Sequence, residues 1–212
     1  MGKIYDRDKA SSILIMSDFF IPYDGRFFDV ASLVPPDRLY ILETLMYNSN
    51  KIDGDFIECG VYKGGTAKLA LRIMSPGKKI YLFDTFCGMP PVNEALDSHK
   101  EGDFSDLSLS IVESYLSDER AIFNQGLIPD TFQGLESLRI SFAHIDVDIY
   151  KSVKDSFQFI YPRLVKGGIA VCDDYGSNGC RGARVALDEC CDSLGIRPLV
   201  LPTGQAIIFK NE

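Results

Sequence analysis

The feature that most constrains the fold is a regular alternation of short apolar strands with amphipathic helices. Strands are predicted over residues 55–59, 79–83, 121–124, 140–145, 168–172, 198–201 and 205–209. Between them, apolar residues recur at helical spacing. Alternating strands and helices with right-handed crossovers predict an α/β fold, a mostly parallel sheet covered by helices on both faces. The last two strands flank Thr203-Gly204 and predict a closing antiparallel hairpin.

Helices are predicted wherever the spacing of apolar residues is three or four. Pro35-Pro36-Asp37 opens the first, because proline and an acid favour a first turn. A single domain is predicted over residues 35–212, and residues 1–34 are predicted to be an aromatic-rich extension that covers the domain or contacts a second subunit. The apolar residues that define the other helical faces lie at 66–74, at Leu109, Val112 and Leu116, at Val153, Phe157, Ile160 and Leu164, and at Ala183, Leu187, Cys190 and Leu194.

Composition excludes several classes of protein. The chain has 212 residues and a net charge of −8, which suits one domain and excludes a dedicated nucleic-acid binder. Six cysteines occur without a C-x-x-C motif and with only two histidines, so neither a disulfide framework nor a zinc site of ordinary spacing is expected. There is no secretory signal and no apolar run of about 20 residues, so we predict a cytoplasmic protein without a membrane span.

A glycine-rich turn follows the first predicted strand, in the sequence Glu58-Cys59-Gly60-Val61-Tyr62-Lys63-Gly64-Gly65-Thr66. A dinucleotide fold needs a glycine two positions after the first, where the backbone approaches a pyrophosphate, but Tyr62 stands there. Asp84 ends the second strand, where an acid can accept the hydroxyls of a ribose. These features favour S-adenosylmethionine; the alternative is a tight turn beside an ordinary strand-end aspartate.

Four carboxylates follow two strands that are predicted to be neighbours. Asp146 and Asp148 come directly after the fourth strand, and Asp173 and Asp174 come after the fifth. Carboxylates that converge at one sheet edge repel one another, and a hard cation such as Mg²⁺ relieves this. We therefore predict a magnesium site formed by Asp146, Asp173 and Asp174. The alternative is that Asp148 caps the next helix and Asp174 is a turn residue.

Three further polar residues have simpler expectations. His144 lies within the fourth strand and is expected to be a buried, hydrogen-bonded core residue. His99 lies in a long polar loop over residues 87–105; it could approach a substrate, but a single loop histidine is expected to be solvated. Arg181 either holds a substrate or begins a helix.

Several long segments resemble one family, the macrocin O-methyltransferase (TylF-like) family of class I S-adenosylmethionine-dependent methyltransferases, which act mostly on sugar hydroxyls of natural products. The similarity extends over about residues 38–192 and implies a Rossmann-like fold. The segments are FIECGVYKGGTA, LFDTFCGMPP, HIDVDIYKSVKDSFQFIYPRLVKGGIAVCDDYG and GCRGARVALDE.

The resemblance implies roles for individual residues. Asp146, Asp173 and Asp174 match the family's magnesium ligands, and Asp148 or Asp146 is the implied catalytic base. The implied cofactor-binding residues lie in the glycine turn, at the end of the second strand and in the loop after it: Glu58, Gly60, Val61, Tyr62, Gly64, Gly65, Thr66, Asp84, Thr85, Phe86, Met89 and Ser105.

Some positions depart from the family. Ser32-Leu33 replaces a Thr-Met pair, Tyr62 replaces a tryptophan, and the chain has no tryptophan at all, so the acceptor pocket is the least transferable part. The predicted function is magnesium-dependent methylation of a small-molecule hydroxyl, on a sugar of a natural product or glycan, by a homodimer or larger assembly. The alternatives are a catechol-like phenol methyltransferase, a non-catalytic S-adenosylmethionine-binding domain, and a nicotinamide oxidoreductase using Tyr150 and Lys154.

Overall fold

One seven-stranded sheet organises residues 30–212, the part of the chain that this computed structural model describes. The sheet order is β3-β2-β1-β4-β5-β7-β6, and only β7 pairs antiparallel, with β5 on one side and β6 on the other. The predicted α/β fold with a closing hairpin is confirmed. The strands are β1 (Asp55–Cys59), β2 (Ile80–Asp84), β3 (Ala121–Gln125), β4 (Ile140–Ile145), β5 (Leu164–Cys172), β6 (Leu199–Val200) and β7 (Ala206–Phe209).

Helices cover both faces of the sheet. Within residues 30–212 they are α1 (Pro36–Ser49), α2 (Gly65–Ile73), α3 (Leu109–Leu116), α4 (Tyr150–Ile160) and α5 (Arg181–Leu194), with short 3₁₀ turns at Asp130–Phe132 and Tyr161–Arg163. None of the helices in this range is long and apolar enough to cross a membrane.

Strand β1 shows how the two layers of core arise. Successive side chains of a strand point to opposite faces. Phe56 packs with apolar residues of α1, α2 and α3, whereas Ile57 and Cys59 pack with those of α4 and α5. All are almost fully buried, so β1 lies at the centre of the domain and directs the turn after it to the middle of the sheet edge.

One predicted helix boundary is wrong. Leu164 was placed on the face of the helix that contains Val153, but α4 ends at Ile160 and Leu164 begins β5. Pro162 cannot donate a backbone hydrogen bond, so the chain passes through a 3₁₀ turn instead of another helical turn. Strand β5 therefore begins before the predicted start at residue 168, and its register to β4 shifts between Ile140 and Phe142.

Candidate active site

A single cavity of about 260 Å³ lies at the carboxyl ends of the parallel strands. The glycine turn after β1 and Asp84 at the end of β2 line one part of it. Asp146, Asp148, Asp173 and Asp174 line another part. Ligands of parallel sheets bind at this edge, so the structure places both predicted halves of the site in one space.

Gly60 joins these halves. Its φ is +85°, and a Cβ there would lie 1.8 Å from the carbonyl oxygen of Asp146. The backbone N–H of Gly60 donates to Phe83 on β2, and that of Asp146 donates to Cys59 on β1. Only glycine allows the ends of β1 and β4 to touch in this way, and the contact fixes the turn against the carboxylates.

Asp84 supports the glycine turn from β2. Its Oδ2 accepts hydrogen bonds from the backbone N–H groups of Val61 and Tyr62, at 2.8 and 2.9 Å. Its Oδ1 accepts one from the N–H of Phe86, at 2.7 Å. The carboxylate therefore fixes the turn and the start of the next loop while it faces the cavity.

The segment before α1 forms one wall of the cavity. Ala31, Ser32 and Leu33 all line it. The backbone N–H of Ala31 donates to the hydroxyl of Tyr115, and a Cβ on Gly65 would lie 2.7 Å from the Ala31 carbonyl oxygen. The described part of the predicted extension thus packs on the domain; residues 1–29 lie outside the described residues.

Strand residues form what we call the inner cluster: His144, Asp146 and Asp173, whose ligand atoms all lie within 4.8 Å of one another. Asp173 is clamped, since its Oδ2 accepts from Arg38 Nη1 at 2.6 Å and its Oδ1 from Gln205 Nε2 at 2.8 Å. These two donors come from α1 and from the residue just before β7, and no sequence pattern indicates either of them.

His144 is the buried, hydrogen-bonded histidine that was predicted. It is 1% exposed, and its Nδ1 lies 2.9 Å from Glu58 Oε1 on β1. Its Nε2 points into the inner cluster, 3.5 Å from Asp173 Oδ1. Residues two apart on a strand share a face, so the pairing of His144 with Asp146 was a signal for its place in the site.

The charges of the inner cluster are far from balanced. Burial, with repulsion from Asp174 and Asp173, raises the pKa of Asp146 well above its usual value. Burial and the nearby Asp148 and Asp173 raise the pKa of Asp174 to about 8. Burial would also raise the pKa of Asp173, but His144 and Arg38 outweigh it, and that pKa is lowered. Asp146 and the adjoining Asp174 therefore hold a proton more tightly than an ordinary aspartate does unless a further cation is near.

Loop residues form a second group, the outer cluster: His99, Asp148 and Cys180. The expectation that His99 is solvated is wrong, because its ring lies against Asp148 and is only 25% exposed as a side chain. Asp97 in the same loop causes this placement. Its Oδ1 accepts from the first backbone N–H of α4, that of Tyr150, at 2.9 Å and thereby anchors the loop.

The capping alternative for the four aspartates fails for Asp148. Helix α4 follows Ile149 and has no side-chain cap from Asp148, whose own N–H donates to Asp174 Oδ2 at 3.0 Å. Asp174 does lie in the turn after β5, as that alternative held, and it also lines the cavity.

Eight of the twelve predicted cofactor residues line the cavity: Gly60, Val61, Tyr62, Gly65, Thr66, Asp84, Thr85 and Met89. The other four lie outside the lining. Glu58 and Phe86 are buried, Gly64 packs toward Val112 of α3, and Ser105 is exposed beside Gly88.

The tyrosine and lysine of the oxidoreductase alternative lie outside the cavity lining. The side chains of Tyr150 and Lys154 bond to each other and to Glu189 of α5. Their polar atoms are therefore engaged at the surface between α4 and α5. This placement does not support an oxidoreductase pair. Arg181 is the first residue of α5 and is exposed, so it begins a helix.

Comparison with solved structures shows the fold. The O-methyltransferase NovP superposes with a TM-score of 0.73 at 21% identity, covering 86% of this chain and 84% of NovP. The calicheamicin methyltransferase CalS11 gives a TM-score of 0.70 at 20% identity, covering 83% and 79%. The chain has the Rossmann-like fold of class I O-methyltransferases.

Sequence comparison identifies the family. The macrocin-O-methyltransferase (TylF) family matches residues 31–189, and the chain belongs to that family, as the resemblance predicted.

Two curated relatives show the degree of similarity. The 8-demethyl-8-(2,3-dimethoxy-alpha-L-rhamnosyl)-tetracenomycin-C 4'-O-methyltransferase of Streptomyces olivaceus is 29% identical over 160 residues, 68% of this chain and 60% of the relative. Mycinamicin III 3''-O-methyltransferase of Micromonospora griseorubida is 29% identical over 150 residues, 62% and 59%. The chain spans about 60% of the length of these relatives.

Proposed function

We propose that this chain is an S-adenosylmethionine-dependent O-methyltransferase that methylates a hydroxyl on a sugar of a natural product or glycan. One observation carries the proposal: a single cavity joins the glycine turn and Asp84 to the strand-end carboxylates. A methyl donor and an acceptor would therefore meet in one space. The curated relatives are named as O-methyltransferases, which supports the same reaction.

The cofactor half consists of the turn and Asp84. A carboxylate accepts several hydrogen bonds, so Asp84 can hold the turn and still accept a ribose hydroxyl. Gly60 has no side chain, which leaves room for the methionine part of the cofactor. Val61, Tyr62 and Thr85 complete this side of the cavity.

Asp146, Asp173 and Asp174 are the proposed magnesium ligands, and one observation tests whether they fit a cation. Within residues 30–212, Glu58 Oε2 is buried without a hydrogen-bond partner, while Glu58 Oε1 bonds to His144 of the inner cluster. The pKa values of Asp146 and Asp174 are also raised. Carboxylate oxygens whose charge is not balanced fit a site for a hard divalent cation. A bound cation lowers the pKa of an acceptor hydroxyl and supplies an anchor for two neighbouring oxygens.

The chain's own residues do the remaining work. Arg38 and Gln205 hold Asp173 in one orientation. Asp148, which lines the cavity, takes the proton from the attacking hydroxyl at its carboxylate; burial raises the pKa of Asp148 and makes it a better base. The acceptor oxygen attacks the methyl carbon, and the bond between that carbon and the sulfonium sulfur breaks. Met89 and Leu33 help to exclude water from the space.

The lining also bears on the acceptor. Five aspartates line the described cavity, and its two cations, Arg38 and Lys63, are already paired with Asp173 and Asp106. Because both of these cations are already paired, neither is free to bind an anionic acceptor such as a nucleotide sugar, and the lining favours a neutral polyhydroxylated one.

The rim of the cavity suggests an apolar group next to the sugar. Leu33, Phe104 and Leu127 line the cavity and are 60%, 38% and 48% exposed. An acceptor whose sugar carries an apolar aglycone would cover them. The catechol-like phenol stays the second candidate, because Tyr62 and Phe104 form an aromatic edge contact at 5.5 Å in the lining.

Calorimetry with S-adenosylhomocysteine tests the cofactor half. Asp84→Asn should weaken binding by about tenfold or more, since each good hydrogen bond to a charged group is worth about 1.5–3 kcal/mol. Asp130→Asn, on an exposed residue outside the lining, is the matched control and should bind as the native chain does. Absence of binding to the native chain would overturn the proposal.

An acceptor panel tests the substrate half. With Mg²⁺ present, methyl transfer should be fastest to a neutral glycoside with an apolar aglycone, slower to a free sugar, and slowest to a nucleotide sugar. Preference for a catechol would instead select the second candidate. The homodimer or larger assembly and the cytoplasmic location stay predictions from the sequence.

A further inference from the structure

The outer cluster brings three kinds of donor atom together. His99 Nε2 lies 3.5 Å from Asp148 Oδ1. Cys180 Sγ lies 3.3 Å from the same oxygen and 3.8 Å from His99 Nε2. Tetrahedral zinc, with bonds of about 2.0–2.3 Å, separates such ligand atoms by about 3.3–3.6 Å. The three observed distances lie within a few tenths of an ångström of those values.

The imidazole of His99 is also held on the side that faces away from Asp148 and Cys180. Its other nitrogen, Nδ1, lies 3.3 Å from Asp103 Oδ2, and that carboxylate is held by the backbone N–H of Lys100 at 2.9 Å. A carboxylate on the far nitrogen is the usual support of a metal-binding histidine, because it fixes the tautomer and the ring. The Nε2 atom is thereby left to face Asp148 and Cys180.

Access and burial suit a cation with an open position. Cys180 is 3% exposed, at the N-terminus of α5, whereas the side chains of His99 and Asp148 keep 25% and 21% of their surface. Asp148 lines the cavity, so an ion held by these three residues would present its fourth position there.

We propose that His99, Asp148 and Cys180 form a second cation site, for Zn²⁺ or a similar soft divalent ion. Its nitrogen, oxygen and sulfur donors favour such ions, whereas the all-oxygen set of Asp146, Asp173 and Asp174 favours Mg²⁺. On binding, the Cys180 thiol loses its proton to solvent and a sulfur–metal bond forms. Binding itself is independent of the proposed function.

The consequence of binding rests on the proposed function. An ion on Asp148 occupies the carboxylate that is proposed to take the proton of the acceptor. Zn²⁺ should therefore inhibit methyl transfer even when Mg²⁺ is saturating.

Cobalt titration of the full chain tests the site directly, after chelation and under a phosphine reductant. One equivalent of Co²⁺ should produce a thiolate-to-cobalt charge-transfer band with tetrahedral visible bands, and Zn²⁺ should displace it. Cys180→Ala and, separately, His99→Ala should lose the band or weaken Co²⁺ binding by about tenfold or more. Cys87→Ala, an exposed thiol, and Cys190→Ala, a buried one, are matched controls and should keep it.

The outcomes separate this site from others. No charge-transfer band in the native chain, or a band that survives in Cys180→Ala, overturns the proposal. For inhibition, each variant is normalised to its own rate without Zn²⁺, and Cys180→Ala should need about tenfold more Zn²⁺ for half-inhibition. Equal inhibition of both chains overturns the inhibitory role. A band without methyl transfer to any acceptor would instead remove the proposed function and leave the site.

Discussion

The inner and outer clusters lie beside each other but are built in different ways. Strands β4 and β5 position all three members of the inner cluster. His144 lies within β4, and Asp146 and Asp173 directly follow β4 and β5. All three members of the outer cluster come from loops: His99 from the loop after β2, Asp148 from the loop after β4 and Cys180 from the loop after β5. The first arrangement is rigid because the sheet hydrogen bonds fix it.

The difference in construction matches a difference in chemistry. The inner cluster carries carboxylates whose charge Arg38 balances only in part, which suits the hard cation proposed for it. The outer cluster contains a thiol and an imidazole and depends on the anchor at Asp97. We infer that the strands position the carboxylates proposed to bind the catalytic cation, whereas the loops bring His99 and Cys180 to the proposed base, Asp148.

Removal of an inner carboxylate should have the largest effect. Asp173→Asn keeps the shape of the side chain but loses its charge, so methyl transfer should fall on the order of a thousandfold, because a catalytic cation contributes several kcal/mol. S-adenosylhomocysteine binding should persist. The rates are measured with saturating Mg²⁺, and Asp188→Asn, whose carboxylate bonds only to a surface tyrosine and arginine, is the control. A variant as active as the native chain would remove Asp173 from the site.

A side chain on Gly60 should break the contact between the turn and the inner cluster. Gly60→Ala forces a Cβ into the carbonyl of Asp146 at a positive φ, and should lower the free energy of unfolding by about 3 kcal/mol or more. Gly77→Ala is the matched control, since nothing lies within 4 Å of its Cβ position, and it should change stability by about 0.5 kcal/mol or less. Urea denaturation measures both, and equal midpoints would contradict the close approach.

The sequence predicts part of each cluster. Asp146, Asp148 and Asp173 are expected at one place because strand ends of a parallel sheet meet at one edge. The contact of His99 with Asp148 is not predicted because it depends on Asp97 bonding to Tyr150, and the role of Arg38 is not predicted because it meets Asp173 across 135 residues of chain. Periodicity reports strands and helices, but it does not report how a long loop packs back onto them.

Loosening the loop should disturb the outer cluster and spare the inner one. Asp97→Ala removes the acceptor for the first N–H of α4 and should cost about 1–2 kcal/mol of stability, as loss of a helix cap does. Co²⁺ binding at the outer cluster should weaken while Mg²⁺ binding stays the same. Asp97→Asn keeps an acceptor oxygen and should lose less. If both variants bind both ions as the native chain does, the loop does not position His99.

The smallest effect is expected at a surface pair outside both clusters. Hydrogen bonds from Arg120 lower the pKa of Asp118 to about 2. A lowered folded pKa stabilises the fold above the unfolded value near 4, and this contribution is lost as the pH falls toward 2. Native chain and Asp118→Asn should therefore differ by about 1 kcal/mol or less at pH 6 and not at all near pH 2. A difference that grows on acidification would contradict the pairing.

The measurement that tests the central claim most directly is methyl transfer to a neutral glycoside after chelation and then readdition of Mg²⁺. The chelated chain should still bind S-adenosylhomocysteine but should transfer no methyl, and Mg²⁺ should restore the rate in the native chain and not in Asp173→Asn. Full transfer by the chelated chain, equal in both forms, would contradict the proposal that the strand-end carboxylates hold a catalytic cation.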